Sequence, residues 1–565
     1  MRKLLKSIAA VLSLTMLSAG LSACGDNGSG STPSSSDNSK TPESSVASTP
    51  ETKTHSLKIL GPDPGNKDIK YSEREEYEVW QTLQDMLKEN GLELDIEAVP
   101  NDQYEVVIQT RMASSDLPDI ANCSNIDDAS LVALGQNGTI QELGSAIAQY
   151  SNGNIDHMYT EVYDSGYPLI KTEDGKIYWL TNLHKGATFE GKEASMGLGL
   201  QLRNDWLSSI NHEMPTTLAE FTDTIRAFRE QDVNGNGQND EIILIDAQTF
   251  ANGLAQIFGL GNGLVALDPV NGKIVSPWYQ DNVQEYFAYL KGLIDESLVD
   301  PATIGSWDIQ NQRLAENLVG AWYAYDSATY LNGYVTNGTE GVDYEPIFTL
   351  TDAVEGSTPW KEVETAQLVW DRYCMTKACT DVEGAIKFFD MIYSEEYGLI
   401  LCAGIEGKDY EIKDGVRTSL INGMTNAEKA AARRTTGSPL WGGLLPRVQL
   451  TTEYPSKEAW EQSLKESNHT DIQIDAMGKA VDYKQWCPLM INNFLAMETE
   501  EETETLNKIQ TGLQTYSDEM CMKLALGTES LDNFDKIIEE LKDLGLDDLI
   551  SVQQARYDRF VANQK

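Results

Sequence analysis

Apolar positions begin to repeat at residue 57. Leu57 and Ile59 lead into Gly61-Pro62, the pattern of a short strand closed by a turn. Val79, Trp80, Leu83, Met86 and Leu87 then recur at helical spacing and stop at Gly91, which predicts an amphipathic helix ending at the glycine. Directly afterwards Leu92, Leu94, Ile96 and Ala98 alternate with Glu93, Asp95 and Glu97, a period of two that predicts a half-buried strand. Strand, helix and strand in this order form a βαβ unit. Such units build a mainly parallel sheet whose ligand crevices lie at the carboxyl ends of the strands.

Farther along, Thr217 and Glu220 have the spacing of a capping box, and Leu218, Phe221, Ile225 and Phe228 continue a buried helical face. Near the C-terminus Phe534, Ile537, Ile538, Leu541 and Leu544 make another such face, closed by Gly545, and a further helix is expected over Leu549 to Phe560. The last 70 residues or so read as mostly helical, and no repeat of solenoid length is visible.

The N-terminus is different in kind. Arg2, Lys3 and Lys6 precede an apolar run from Ile8 to Leu21, the layout of a secretory signal. The run closes on Leu21-Ser22-Ala23-Cys24, which resembles the lipobox of bacterial lipoproteins, where cleavage before the cysteine is followed by its lipidation. Residues 25 to 54 are Gly, Ser, Thr and Pro with almost nothing apolar to bury, hence a tether. A flexible chain of that length has a reach of about 30 Å.

With 565 residues, 41% of them hydrophobic, the chain can bury a sizeable core. It has 43 Lys plus Arg against 88 Asp plus Glu, a net charge of −45. Loss of Arg2, Lys3 and Lys6 with the leader takes this to about −48. Such a field repels phosphate backbones and anionic lipid heads, so nucleic acid is excluded as a partner. The six cysteines after Cys24 include no CxxC pair, and the five histidines are scattered singly, which argues against zinc and against a catalytic triad. The six cysteines read mostly as small buried apolar residues, with a Cys374–Cys379 bridge as the alternative. No GxSxG, HExxH or Walker pattern occurs.

One stretch carries candidate metal chemistry: DVNGNGQNDEI, residues 232 to 242. Asp232, Asn234 and Asn236 occupy positions 1, 3 and 5 of an EF-hand loop, Gly237 the tight bend, and Gln238 the position that offers its carbonyl. Asp240 stands at position 9. Position 12 is Ile243 instead of the usual Glu, and Glu241 is the natural substitute. Hard oxygen ligands in this number suit Ca²⁺, in a structural role between one helix and the next strand. A solvated Asn-Gly turn is the alternative.

The longer stretch RNDWLSSINHEMPTTLAEFTDTIRAFREQDVNGNGQNDEI resembles the corresponding segment of the extracellular family-1 solute-binding lipoproteins, the group that includes alginate-binding proteins. SSDLPDI at 114–120, NGTIQEL at 137–143, EDGKIYWL at 173–180, GIEGKDYEI at 404–412 and the C-terminal FDKIIEELKDLGLDDLISVQQARYDRF extend the likeness over the mature chain. No Gly precedes Asp116, and the TDVE turn at 380–383 lacks Pro, departures that alter only local turns.

The resemblance implies an α/β, two-lobed, periplasmic-binding-protein-like fold of type II with a hinge. It also implies calcium held by Asp232, Asn234, Asn236, Gln238 through its carbonyl, Asp240 and Glu241. The expected organisation is a signal peptide at 1–23, lipidated Cys24 and tether to 55, a first lobe at 56–170, and a second at 171–365 with the loop at 232–243. A return to the first lobe at 366–430 and a lobe-spanning, helical region at 431–565 complete it.

The function so implied is a membrane-anchored, extracellular binding protein that captures a carbohydrate and passes it to an ABC importer permease. The alternatives are a surface binding or sensing protein for a peptide or other solute and, remotely, a glycosidase. Sugar rings offer CH faces to aromatic planes and hydroxyls to planar polar groups. The expected ligand contacts are therefore Trp322, Tyr325 and Asp326 in GAWYAYDSATY, which resembles a sugar-stacking stretch, with Arg203, Trp370 beside Asp371 and Arg372, and Trp441. One of Tyr178 and Trp179 is expected to face the cleft. The net charge favours a neutral oligosaccharide.

Overall fold

The computed structural model of the chain describes residues 54–564 apart from 64–70, 115, 164–165, 195, 327–340, 366, 414–415, 422–423, 425, 437–443 and 450–451. The leader, Cys24, most of the tether and Trp441 lie outside the described residues. Two six-stranded sheets organise two lobes.

In the first lobe, His55–Asp63 pairs in parallel with Leu92–Pro100 along its whole length, and with Ile120–Asn122 on its other side. The helix Glu78–Glu89 connects the first two strands and buries Val79, Trp80, Leu83 and Leu87, as the periodicity predicts. Leu92–Pro100 is an edge strand, and its Glu93, Asp95 and Glu97 oppose pairing with another chain. Gln367–Met375 lies antiparallel to Ile120–Asn122 and to Leu180–Lys185, and Val448–Gln449 is parallel to the latter.

The second sheet is centred on Met196–Arg203, antiparallel to Val319–Tyr325 on one side and to Lys361–Glu364 on the other. The helix Leu218–Glu230 begins at the expected capping box: Thr217 Oγ1 accepts from Glu220 N at 3.2 Å, and Glu220 Oε2 accepts from Thr217 N at 3.1 Å. Its Phe221, Ile225 and Phe228 share a core with Trp278 and Leu290. The C-terminal helices Glu500–Ala525, Phe534–Asp543 and Leu546–Asn563 add Leu513, Leu524, Leu541 and Leu546 to the same core. The C-terminal region is thus helical, and it builds the second lobe.

The chain passes between the sheets three times. The first passage follows Lys185, not residue 170, because Leu180–Lys185 is bonded into the first sheet and Leu180 and Leu183 pack with Tyr373 and Val448 in the first core. The second lies between Glu364 and Gln367, and the third after Gln449. A small sheet ties the first passage to the third: Thr188–Phe189 pairs with Glu453–Tyr454, and Phe189 stacks on Trp460 with ring centroids 4.9 Å apart. The six cysteines after Cys24 are free thiols, Cys374 and Cys379 among them. Among the described residues no helix is long and apolar enough to cross a membrane.

Candidate functional site

The strand Gln367–Met375 is bulged where it meets the cleft. Its register against Leu180–Lys185 shifts between Trp370 and Tyr373, and Asp371 there has a φ of 59°, the left-handed region that few non-glycine residues adopt. A bulge redirects side chains that a regular strand would place by strict alternation, and such local strain concentrates at functional sites.

Around it, Trp370 stands opposite Asn182, and Gln449 opposite His184, so these four side chains share one face of the sheet. Asn182 ties its own strand to the segments on both sides. Its Nδ2 donates to Asp371 Oδ2 at 2.6 Å, and its Oδ1 accepts from Arg447 N at 2.7 Å. The half-buried indole of Trp370 meets the edge of His184 at 5.9 Å, and the guanidinium of Arg447 lies 5.7 Å from the indole centroid. Burial, helped by Arg447, pushes the His184 imidazole down to about 4, so it is neutral at physiological pH. Burial likewise raises the Asp371 carboxyl. Arg372 donates its guanidinium Nε to Asp128 and its backbone N to Ser124 Oγ at 3.0 Å.

A cavity of about 330 Å³ reaches Trp370, Asp371 and Arg372 but not Asn182, His184, Gln449 or Arg447. Asp128, Trp179, Trp370 and Asp371 line it from the first lobe, and Asn493 and Gln510 from the second. Trp179 borders this cavity but is almost wholly buried in the first-lobe core, and Tyr178 packs against Gly135, where an added Cβ would come within 2.4 Å of its ring. An aromatic plane flanked by amide, carboxylate and guanidinium groups in a cleft between lobes is suited to a polyhydroxylated ring.

The other expected ligand contacts lie elsewhere. Trp322 is in the core, packed with Ile242, Leu244 and Tyr344, because Val319–Tyr325 is an inner strand of the second sheet and its aromatics serve the layers on both sides. Asp326 is fully buried, with Oδ1 accepting from Lys361 Nζ at 2.9 Å. Arg203 is equally committed: Nε and Nη2 grip Asp205 at 2.7 and 2.6 Å, Nη1 donates to Asn317 Oδ1 at 2.7 Å, and the guanidinium lies 4.1 Å over Trp206. Tyr325 is half-buried and hydrogen-bonded to Glu364. Sequence reasoning missed Asn182, His184 and Arg447. The signal for the first two is the stretch LTNLHK, where Asn182 and His184 stand two apart and so on one face of a strand.

The loop after helix Leu218–Glu230 converges its oxygens. Asp232, Gly235 and Gly237 all have positive φ, which coils the backbone around them. Asp232 Oδ1 and Oδ2 accept from Asn236 N and Gly237 N at 3.1 and 2.9 Å, and Asn234 Oδ1 accepts from Asn236 N at 2.9 Å. Asn236 directs its amide nitrogen at the Asp240 carboxylate, 3.0 Å away, so an amide dipole offsets charge that a cation would neutralise. Glu241 is almost wholly buried. Its Oε1 accepts from Asn234 N at 3.2 Å, and its Oε2 has no partner among the described residues. Burial raises its carboxyl, and Asp240 and Asp232 add to the effect. Carboxylates alone form no metal-holding group among the described residues. The donors that fit a hard cation are the mixture of carboxylate, amide and carbonyl oxygens that Ca²⁺ accepts, with an orphaned buried oxygen among them.

No family profile matches the chain. The fructooligosaccharide ABC transporter substrate-binding protein FusA of Streptococcus pneumoniae is 24% identical over 510 residues, covering 85% of this chain and 87% of that protein. The solved structure of the alginate-binding protein AlgQ2 without calcium ion has a TM-score of 0.63 at 21% identity, covering 90% of this chain and 99% of that one. An EF-hand mutant of FusA in complex with fructo-nystose has a TM-score of 0.65 at 19% identity, covering 90% and 100%. The chain has the two-lobed fold of the solute-binding proteins. Its sequence relatives are ABC transporter substrate-binding proteins.

Proposed function

We propose that the protein is an extracellular substrate-binding lipoprotein that captures an oligosaccharide between its lobes and delivers it to an ABC importer, without cleaving it. The observation that carries this reading is Trp370 on its bulged strand, lining the interlobe cavity with Asp371, Arg372, Asn493 and Gln510, while His184 and Arg447 lie against its indole. The similarity to FusA supports both the ligand class and the importer. Closure of two lobes on a ligand draws its energy from contacts made to both at once, which shifts the molecule towards a state it already samples. The N-terminal lipobox resemblance supports anchoring at Cys24, with the tether holding the lobes off the membrane. At the loop, Asp232, Asn234, Asn236, Asp240, Glu241 and the Gln238 carbonyl would hold Ca²⁺, whose charge would offset three neighbouring carboxylates and fix the end of one helix to the following strand.

The test is a thermal-shift screen of the purified protein against oligosaccharides and peptides, with the same mixtures assayed for cleavage. A ligand at 100 times its dissociation constant stabilises the folded state by about 2.7 kcal/mol. An upshift with an intact saccharide, lost in Trp370→Ala at an unchanged melting temperature of the free protein, is the expected result. Cleaved saccharide, or an upshift with peptides alone, overturns it.

A further inference from the structure

The cavity that Trp370 lines has a second-lobe wall with an unusual supply of buried donors. Asn493, Gln553 and Arg556 line it, and each is more than nine-tenths buried. Buried polar groups are as a rule hydrogen-bonded in full, and here they are not. Gln553 and Arg556 stand one turn apart on the helix Leu546–Asn563. Arg556 donates from Nε to Ala496 O at 2.9 Å, and from Nη1 to Gln553 Oε1 at 3.0 Å and Glu498 Oε1 at 3.1 Å. Its Nη2 and the Nε2 of Gln553 donate to nothing among the described residues. Asn493 Oδ1 accepts from Val369 N at 3.4 Å, which orients the amide, and its Nδ2 is buried without a partner among the described residues.

The first-lobe wall of the same cavity supplies the opposite polarity. Asp128, the first residue of helix Asp128–Gln136, accepts from Arg372 Nε on Oδ1, and its Oδ2 accepts nothing among the described residues. Burial draws the Arg556 guanidinium below its usual range, and Glu498, Asp128 and Glu502 oppose the shift, so Asp128 is felt from across the cavity. Charge is already matched on both walls: Arg372 has Asp128, Arg556 has Glu498, and Arg559 has Glu502 at 2.5 Å. The unmet need is for hydrogen bonds, with donors free on one side and a carboxylate oxygen free on the other.

We propose, on the reading of the cleft as a saccharide site, that Asn493, Gln553 and Arg556 are its specificity-determining residues: their free N–H groups donate to hydroxyls of one sugar ring, and another hydroxyl of that ring donates to Asp128 Oδ2. A hydroxyl both donates and accepts, so one ring satisfies both walls. Trp370 supplies a platform that takes the CH face of many sugars. Buried donors discriminate more sharply than an aromatic plane does, because an epimer that turns its hydroxyl away leaves them unpaired. Selection between sugars thereby falls to the second lobe, and the platform to the first.

Calorimetric titration with linear tetrasaccharides of fructose, glucose, galactose, mannose and xylose, each taken separately, tests this. Gln553→Met is expected to weaken the best-bound tetrasaccharide by about ten-fold, the size of one hydrogen bond in a buried site, at an unchanged melting temperature of the free protein. The weakly bound tetrasaccharides are expected to lose less, so the preference among the five collapses. Trp370→Ala is expected to weaken all of them alike and to keep their order. An unchanged order of affinities in Gln553→Met, an equal loss for every tetrasaccharide, or a collapse of preference in Trp370→Ala instead overturns the assignment. Binding of none of the five to the unaltered protein overturns the saccharide reading itself. Arg556→Lys, which keeps a charge beside Glu498 and removes the guanidinium fork, provides a second variant with the same expected collapse should Gln553→Met fail to fold.

Discussion

Gly197 is side-chain-free because a Cβ there would lie 2.2 Å from Asp326 Oδ2 and 2.7 Å from Lys361 Cε. The ion pair it accommodates is sealed, with side-chain exposures of 2% for Lys361 and 0% for Asp326. Burial raises the Asp326 carboxyl, and Lys361 opposes the shift. Removing one partner from such a pair leaves a charge stranded. Lys361→Ala should therefore lower unfolding free energy by about 3–5 kcal/mol in urea denaturation, whereas an apolar replacement of both partners should come close to neutral.

The two tryptophans separate just as clearly. Trp322→Ala should cost about 3–5 kcal/mol of stability through the cavity it leaves and leave ligand affinity intact, the reverse of Trp370→Ala. Composition and local pattern make Trp322 and Trp370 look alike, since each is an aromatic in a strand. What distinguishes them is the layer each strand faces and the bulge at Asp371, and neither is encoded in a local repeat.

At the level of elements, the loop at 232–241 was legible because its donors are nearly consecutive: spacing alone brings Asp232, Asn234, Asn236 and Asp240 together once the glycines turn the backbone. The cleft was not, because Asn182, Trp370 and Arg447 come from three segments far apart in the chain, and their meeting depends on sheet order. If the loop holds Ca²⁺, a chelator should lower the melting temperature of the protein, and Asp232→Ala should abolish the difference; identical melting with and without chelator would refute the assignment.

The strand Tyr344–Pro346 offers a pH test. Burial pushes the Glu345 carboxyl up to about 7, and its Oε2 accepts from Thr470 Oγ1, the N-cap of helix Asp471–Asp482, at 2.9 Å. Between the ordinary glutamate range and about 7 the folded state binds more proton than the unfolded one, so stability falls as pH rises through that window and levels off above it. Glu345→Gln should flatten that stretch of the melting profile; an unchanged slope would remove Glu345 as its source.

Over the whole molecule, the alternation of strand and helix patterns sufficed for the α/β class, and the C-terminal apolar faces for its helices. The division into lobes was less legible. Leu180–Lys185 follows the first-lobe segments in sequence like any later strand, and only its hydrogen bonds to Gln367–Met375 and Val448–Gln449 place it in the first sheet.

The three passages between the sheets also bear on heredity. Each lobe is assembled from separated stretches of the gene, so no single recombination between two relatives can exchange one sheet whole and leave the other unmixed. A change of cargo is therefore more accessible through individual substitutions on the facing walls than through exchange of a lobe.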